Sequence, residues 1–300
     1  TPREFLDTFE RSMSYLRLEY VDLLSFHGVN SDELLEQVIR RGGCLEAARS
    51  LQRLGRVRNV GFSTHAPCRT ILAAINTGEF DYVNLHWYFV NDLNEPALRA
   101  AEAQDMGVFI ISPNDKGGML YQPPERMKAL CEPLSPMQFN DLYCLARPEV
   151  HTLSIGAARP SDFDEHIAAL ERYSEAAAVA QPVEAKLRSR MNEALGAEWL
   201  DGWWRGVPEY FDIPGQINVL EILRLWTYAS SLDLVEWGKM RYNLLGHANH
   251  WFPGENASEI DDAALLKALK ECPVAERIPG VLRQAHALLS GPAAKRLSES

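Results

Sequence analysis

Between residues 20 and 156 five short apolar runs each stop abruptly in polar or glycine residues that a buried core would not select. The runs predict strands near Val21–Phe26, Val57–Phe62, Tyr82–Leu85, Val108–Ile111 and Thr152–Ile155. They end in His27-Gly28, in Ser63-Thr64-His65, in Asn84 with His86, in Ser112-Pro113-Asn114-Asp115-Lys116, and in Gly156-Ala157-Ala158-Arg159. Apolar periodicity between the runs predicts helices at about 31–53, 66–77 and 94–105 and two pieces between 124 and 146. Strands alternating with helices build a parallel sheet. In a (β/α)₈ TIM barrel the active site gathers at the C-terminal strand ends, whereas an open doubly wound sheet uses one switch point and often a Gly-rich first turn. No GxGxxG occurs in this sequence, so the pattern favours a partial barrel of about five strands.

A helix over about 161–172 completes the pattern, and the Ala-rich stretch ending in Gln181-Pro182 marks an expected boundary. Two domains follow from it: 1–180, the partial barrel, and 183–300, an all-α domain. Helices are expected there over 187–195, 217–245, 262–269 and 278–289, with Trp199, Trp203, Trp204, Trp226, Trp237 and Trp251 supplying core surface. At the other end Thr1-Pro2-Arg3-Glu4 has the form of an N-cap, a first-position Pro and a capping-box Glu, so a helix starts at once. With no initiator Met and no strand before that helix, the chain is expected to be part of a longer product.

Composition removes several function classes. A net charge of −11 provides no broad basic field, so nucleic acid is not an expected partner, although a local pocket for a small anion is compatible with it. The five cysteines, Cys44, Cys68, Cys131, Cys144 and Cys272, form no CxxC pair and read as reduced cytoplasmic thiols. No signal peptide and no apolar run of spanning length is present, so a cytoplasmic location without membrane contact is expected. Nothing in the sequence sets an oligomeric state.

The segments in their order resemble the aldo/keto reductase family over about residues 1–173. Ser12-Met13-Ser14-Tyr15-Leu16-Arg17-Leu18 followed by Tyr20-Val21-Asp22-Leu23-Leu24-Ser25-Phe26-His27 is similar to the segment leading into that family's fourth strand, which ends in its catalytic histidine. Val57 through His65, with its Gly-x-Ser end, looks like the fifth strand, and Asn84 falls where the sixth supplies Gln or Asn to the nicotinamide. Ile111 through Leu120 resembles the loop after the seventh strand, and Ser154 through Arg159 the eighth strand with its phosphate-contacting loop. The C-terminal half resembles the extension of a bacterial oxidoreductase-like branch, some members of which carry iron–sulfur cysteines. Only Cys272 lies in that part of this chain, so no cluster is expected.

The resemblance implies an oxidoreductase using NADP or NAD to transfer hydride to or from a small carbonyl or alcohol substrate. His27 would polarise the substrate carbonyl. Ser63 and Asn84 would hold the carboxamide. Ser112, Pro113, Lys116 and Gly117 would contact the pyrophosphate, and Gly156, Ala157 and Arg159 a phosphate at a helix N-terminus. Thr64 and His65 are weaker candidates. In two places the sequence departs from the family. No residue matches the family's Tyr, Lys and Asp, so this chain alone is expected to be catalytically incompetent. Its Glu-Asn pair becomes Glu165-His166, which leaves NAD against NADP open. A non-catalytic binding or regulatory protein on the same scaffold is one alternative. The other is a metal hydrolase using His27, His65 and His86, but no HxH pair or nearby carboxylate completes such a site, and no metal is expected. His247 and His250 have HxxH spacing but fall beside Phe252-Pro253-Gly254, where a turn is expected.

Overall fold

The computed structural model describes residues 1–157, 159–248 and 251–292. Helix α1 spans Pro2–Leu16, and its capping box forms as expected: the Thr1 hydroxyl accepts from the Glu4 amide, and the Glu4 side chain reaches back to the Thr1 N-terminus. The strands are β1 (Val21–Phe26), β2 (Val57–Ser63), β3 (Tyr82–Leu85), β4 (Gly107–Ile111) and β5 (Thr152–Ser154). They pair in parallel in sequence order, a half-barrel of five strands with helices around it. Phe26 lies opposite Phe62, Ser63 opposite Asn84, Leu85 opposite Ile110, and Ile111 opposite Ser154. This register aligns the carboxyl ends of the five strands at one end of the sheet.

The apolar side chains of the three central strands, β2 to β4, supply the buried core of the sheet, as a parallel sheet covered on both faces requires. Val60, Phe62, Val83, Leu85, Val108 and Ile110 have no exposed surface. Each such side chain contributes about 1.5–3 kcal/mol relative to exposure. The covering helices are α2 (Asp32–Ile39), α3 (Cys44–Arg53), α4 (Cys68–Asn76) and α5 (Glu95–Ala103). The stretch at 31–53 was expected as one helix and forms two. Gly42 takes φ +71°, and a Cβ on Gly43 would lie 2.7 Å from the carbonyl oxygens of Val38 and Arg40. Gly61 answers to a similar constraint, since a Cβ there would lie 2.6 Å from the ring of Tyr82, its register partner.

The chain divides into two compact units that alternate along the sequence. Unit 1 comprises 1–87, 92–111 and 147–154, and unit 2 comprises 88–91, 112–146 and 155–300. The units do not divide at the boundary expected between 180 and 183. Helix α9 (Ala176–Leu195) runs straight through Gln181-Pro182, and it packs on α6 (Glu125–Cys131) and α7 (Pro136–Leu145), which precede that boundary. Pro182 removes one helical hydrogen bond, yet Val183, Leu187 and Met191 beyond it are buried and hold the helix together.

Unit 2 also contains α8 (Asp162–Leu170), α10 (Ala197–Gly202), α11 (Val219–Leu232), α12 (Val235–Tyr242), α13 (Asp262–Ala268) and α14 (Ile278–Leu289). The single helix expected over 217–245 breaks at Asp233, which takes the left-handed φ of +66°. Trp199 and Trp237 are core residues, and the Trp199 indole donates to Thr227 at 2.9 Å, whereas Trp204 is 43% exposed. Three bonds tie α11 and α12 to the segments that follow β3 and β4. Arg224 donates to the Val90 carbonyl at 2.8 Å, Tyr228 to Phe89 at 3.0 Å and the Trp237 indole to Lys116 at 2.9 Å.

Candidate active site

In unit 1 the ends of β1 and β2 are tied together. The Gly28 and Val29 amides donate to the Ser63 carbonyl, the Thr64 hydroxyl donates to the Val29 carbonyl, and the His65 amide donates to the Asn30 side chain. Ser63 is buried, and its hydroxyl accepts from the Gly28 amide at 3.2 Å while standing 2.9 Å from His27 Nδ1. In the tautomer where Ser63 donates to Nδ1, the ring proton of His27 sits on Nε2. His27 is then a hydrogen-bond donor at that nitrogen.

His65 and His86 form a second pair, Nδ1 to Nε2, at 3.0 Å. His86 Nδ1 lies 3.1 Å from the Ile111 carbonyl, which only accepts, so Nδ1 carries the proton. Nε2 of neutral His86 is then an acceptor, and His65 donates to it through Nδ1. The two imidazoles therefore bond each other. Among the described residues no group of three or more His, Cys, Asp or Glu side chains is placed to hold a metal ion.

Asn84 lies on β3 opposite Ser63, and its backbone carbonyl accepts from the Thr64 amide. Its side-chain oxygen is buried and has no hydrogen-bond partner among the described residues. An unmet acceptor costs about 1–3 kcal/mol, which a ligand amide donor would recover. The residues therefore fit a carboxamide here.

Unit 2 holds the other candidate residues. Ser112, Pro113, Lys116 and Gly117 belong to one tight loop. Ser112 takes φ +50°, the Lys116 amide donates to the Ser112 carbonyl, and the Asn140 side chain donates to Pro113 at 2.9 Å. A Cβ on Gly117 would fall 1.8 Å from the Pro113 carbonyl oxygen, so the turn excludes every side chain. Gly156 and Ala157 are exposed, and a Cβ on Gly156 would meet nothing. Ala158, within the same motif, lies outside the described residues, as does His250.

Arg159 is already engaged. Its guanidinium donates to Asp162 at 3.1 and 3.3 Å and to the Tyr121 carbonyl at 3.1 Å. Asp162, Asp164 and Glu165 load the first turn of α8 with negative charge, which weakens that N-terminus as an anion site. Arg159 and Asp162 line a cleft of about 430 Å³ together with Tyr121, Lys128, Ser135 and Glu165.

Sequence reasoning missed a buried chain of polar groups beside this cleft. His166 Nδ1 lies 2.5 Å from Asp141, and its Nε2 lies 3.1 Å from the Asn114 amide. All three residues are buried. The hydrogen bond to Asp141 raises the His166 pKa above its ordinary value. Protonated His166 donates from both nitrogens, and rotating the Asn114 amide by half a turn presents its oxygen to Nε2. The departure from Glu-Asn to Glu165-His166 thus places an interior tie between α7 and α8. Its one local signal in the sequence was Asp141 beside the apolar residues of α7.

Parallel strands with His, Ser and Asn side chains at their carboxyl ends define an α/β protein of TIM-barrel type. The chain belongs to the aldo/keto reductase family, whose model matches residues 1–182. The holo form of the aldo-keto reductase AKR11C1 from Bacillus halodurans is similar with a TM-score of 0.52 at 19% identity, over 62% of this chain and 65% of that one. The apo form gives 0.50 at 19%, over 62% and 68%. The glycerol dehydrogenase AKR11B4 from Gluconobacter oxydans gives 0.44 at 16%, over 60% and 65%. The Bacillus halodurans likenesses show the fold alone, and the chain spans 65% of the holo structure's length. Among curated proteins none matches. No helix among the described residues is long and apolar enough to cross a membrane.

Proposed function

We propose that the protein acts as an NAD(P)-linked oxidoreductase of the aldo/keto reductase type on a small carbonyl or alcohol substrate. One observation carries the reading: the partnerless, buried amide oxygen of Asn84, beside Ser63 in the register and at the strand ends. When bound, the nicotinamide supplies hydride to a carbonyl carbon or takes it from an alcohol. Asn84 accepts from the carboxamide and fixes which ring face is presented. His27 donates from Nε2 to the substrate oxygen, stabilising the negative charge that develops there. Ser63 is a positioning residue that sets the His27 tautomer through the 2.9 Å contact.

The backbone of Ser112 through Gly117, with Lys116, and the Gly156, Ala157 and Arg159 segment would hold the phosphates. The alkoxide also needs a proton from a positioned acid, an effect of about 10²–10⁴-fold. No residue of this sequence matches the family's Tyr and Lys, so turnover by the 300-residue chain alone is expected to be negligible.

The test is dinucleotide binding by this chain, alongside NAD(P)H oxidation with aldehydes and quinones by this chain and by one lengthened upstream. Asn84→Ala should weaken the dinucleotide by about 0.5–1.5 kcal/mol, the net worth of one hydrogen bond. Unchanged affinity would remove Asn84 from the site. Robust turnover by the short chain would show that its acid has been misplaced.

A further inference from the structure

Every arginine held inside a protein needs acceptors for its five N–H groups. Arg224 on α11 has them. Two of its nitrogens pair with the carboxylate of Glu221, a third donates to the Val90 carbonyl, and the guanidinium lies over the Trp237 ring at 5.3 Å. Arg241, in the last turn of α12, does not. Among the described residues its guanidinium has no hydrogen bond and no ion pair, Nε is sealed from solvent without a partner, and the guanidinium lies over the Phe252 ring at 4.0 Å. The side chain as a whole keeps part of its surface open. Its pKa is lowered by desolvation, and the positive charge of Arg224 adds to that. The α12 carbonyl end favours a cation by a modest amount, but it supplies no acceptor to the guanidinium.

We propose that Arg241 is the anchor of a ligand site in unit 2 that takes the carboxylate of a small organic acid. The neighbouring groups favour that class over other anions. Glu221 is the largest opposite charge acting on Arg241 but is hydrogen-bonded to Arg224, so Arg224, Glu221 and Arg241 together carry a net positive charge that Asp115, acting more weakly, offsets only in part. A monoanion balances it, whereas a phosphate dianion would leave a desolvated excess charge. The two terminal nitrogens form a planar fork that matches two carboxylate oxygens. The Phe252 ring beneath the guanidinium places carbon rather than polar groups beside the fork, which suits an organic acid better than a hydrated inorganic ion. The site stands on its own residues and does not depend on the proposed hydride chemistry.

Acetate and inorganic phosphate are the probes, titrated at constant ionic strength into the whole chain with ¹⁵N-labelled arginine and followed by NMR. The Arg241 signals are identified by their disappearance in Arg241→Lys. Acetate should shift them saturably, and more tightly than phosphate does. In Arg241→Gln the acetate affinity, read by thermal shift, should fall roughly tenfold or more, the loss of a charge-assisted pair. Where Arg241→Gln fails to fold, the wild-type titration alone decides. The proposal is overturned if acetate leaves the Arg241 signals unmoved, if phosphate binds more tightly than acetate, or if folded Arg241→Gln responds to acetate as the wild type does.

Discussion

At the residue scale the histidines at the strand ends are distinguished by what fixes their protons. Ser63, whose hydroxyl accepts from the Gly28 amide, orients His27, and the Ile111 carbonyl orients His86. Ser63 was expected as a carboxamide ligand, yet its hydroxyl faces His27. The two roles make different predictions for Ser63→Ala. If it positions His27, kcat/KM in the complete enzyme should fall by about tenfold, the value of one transition-state hydrogen bond near 1.4 kcal/mol, with dinucleotide affinity nearly unchanged. A loss confined to dinucleotide binding would assign Ser63 to the cofactor instead.

Arg159 allows a similar test. Because Asp162 already neutralises it, a 2′-phosphate must compete with a carboxylate for the same guanidinium. Asp162→Asn should therefore improve NADP affinity relative to NAD, measured by fluorescence titration of both. An equal change for the two dinucleotides would show that Arg159 does not reach the 2′-phosphate.

At the element scale α7 and α8 are joined by His166 and Asp141. The sign of their pH dependence follows from the raised His166 pKa. A histidine that binds its proton more tightly when folded stabilises the fold fully below its unfolded pKa, near 6.5, and loses that stabilisation as pH rises through the folded value. The wild type should thus lose thermal stability relative to His166→Asn as pH is raised above about 6.5, since the substituted side chain does not titrate, while Asp141, whose pKa burial raises, is present in both proteins. Parallel melting curves for the two proteins across pH 5.5–9 would remove the ion pair from the account.

This tie also marks how far the sequence could be read. The strands were legible because short, mainly apolar runs bounded by breakers and alternating with helical stretches admit few other folds, and all five fell within one residue of their expected bounds. Pro182 misled because a breaker is a local signal, while the burial of Val183, Leu187 and Met191 that overrides it is tertiary. The Asp141–His166–Asn114 chain joins residues up to 52 positions apart, and nothing in local spacing announces that. Asn84 was found from its place in an ordered series of motifs, but its unpartnered oxygen could be seen only in three dimensions.

At the scale of the whole molecule the chain passes between its two compact units five times, at 87/88, 91/92, 111/112, 146/147 and 154/155. A cut near 180 would separate pieces of one unit. Phe89 packs against Phe139 at 5.5 Å, Tyr143 at 5.6 Å and Tyr228 at 6.1 Å, so residues from 89 to 228 share one aromatic cluster. Removing 183–300 would delete most of α9, which covers α6 and α7, along with the side chains of Arg224, Tyr228 and Trp237 that hold the Val90, Phe89 and Lys116 carbonyls. Each stranded aromatic would lose several kcal/mol of burial, on the order of 3–5 for a Phe-sized truncation, against a typical total stability of about 5–15 kcal/mol. A protein of residues 1–180 is therefore expected to show no cooperative thermal transition and to bind hydrophobic dye, while residues 1–300 melt cooperatively. Circular dichroism and dye binding on both lengths decide the matter. A sharp transition in the shorter protein, with the far-ultraviolet spectrum of an intact α/β fold, would show that 1–180 folds without the C-terminal helices and that the bonds from α11 and α12 are additions to a domain already complete.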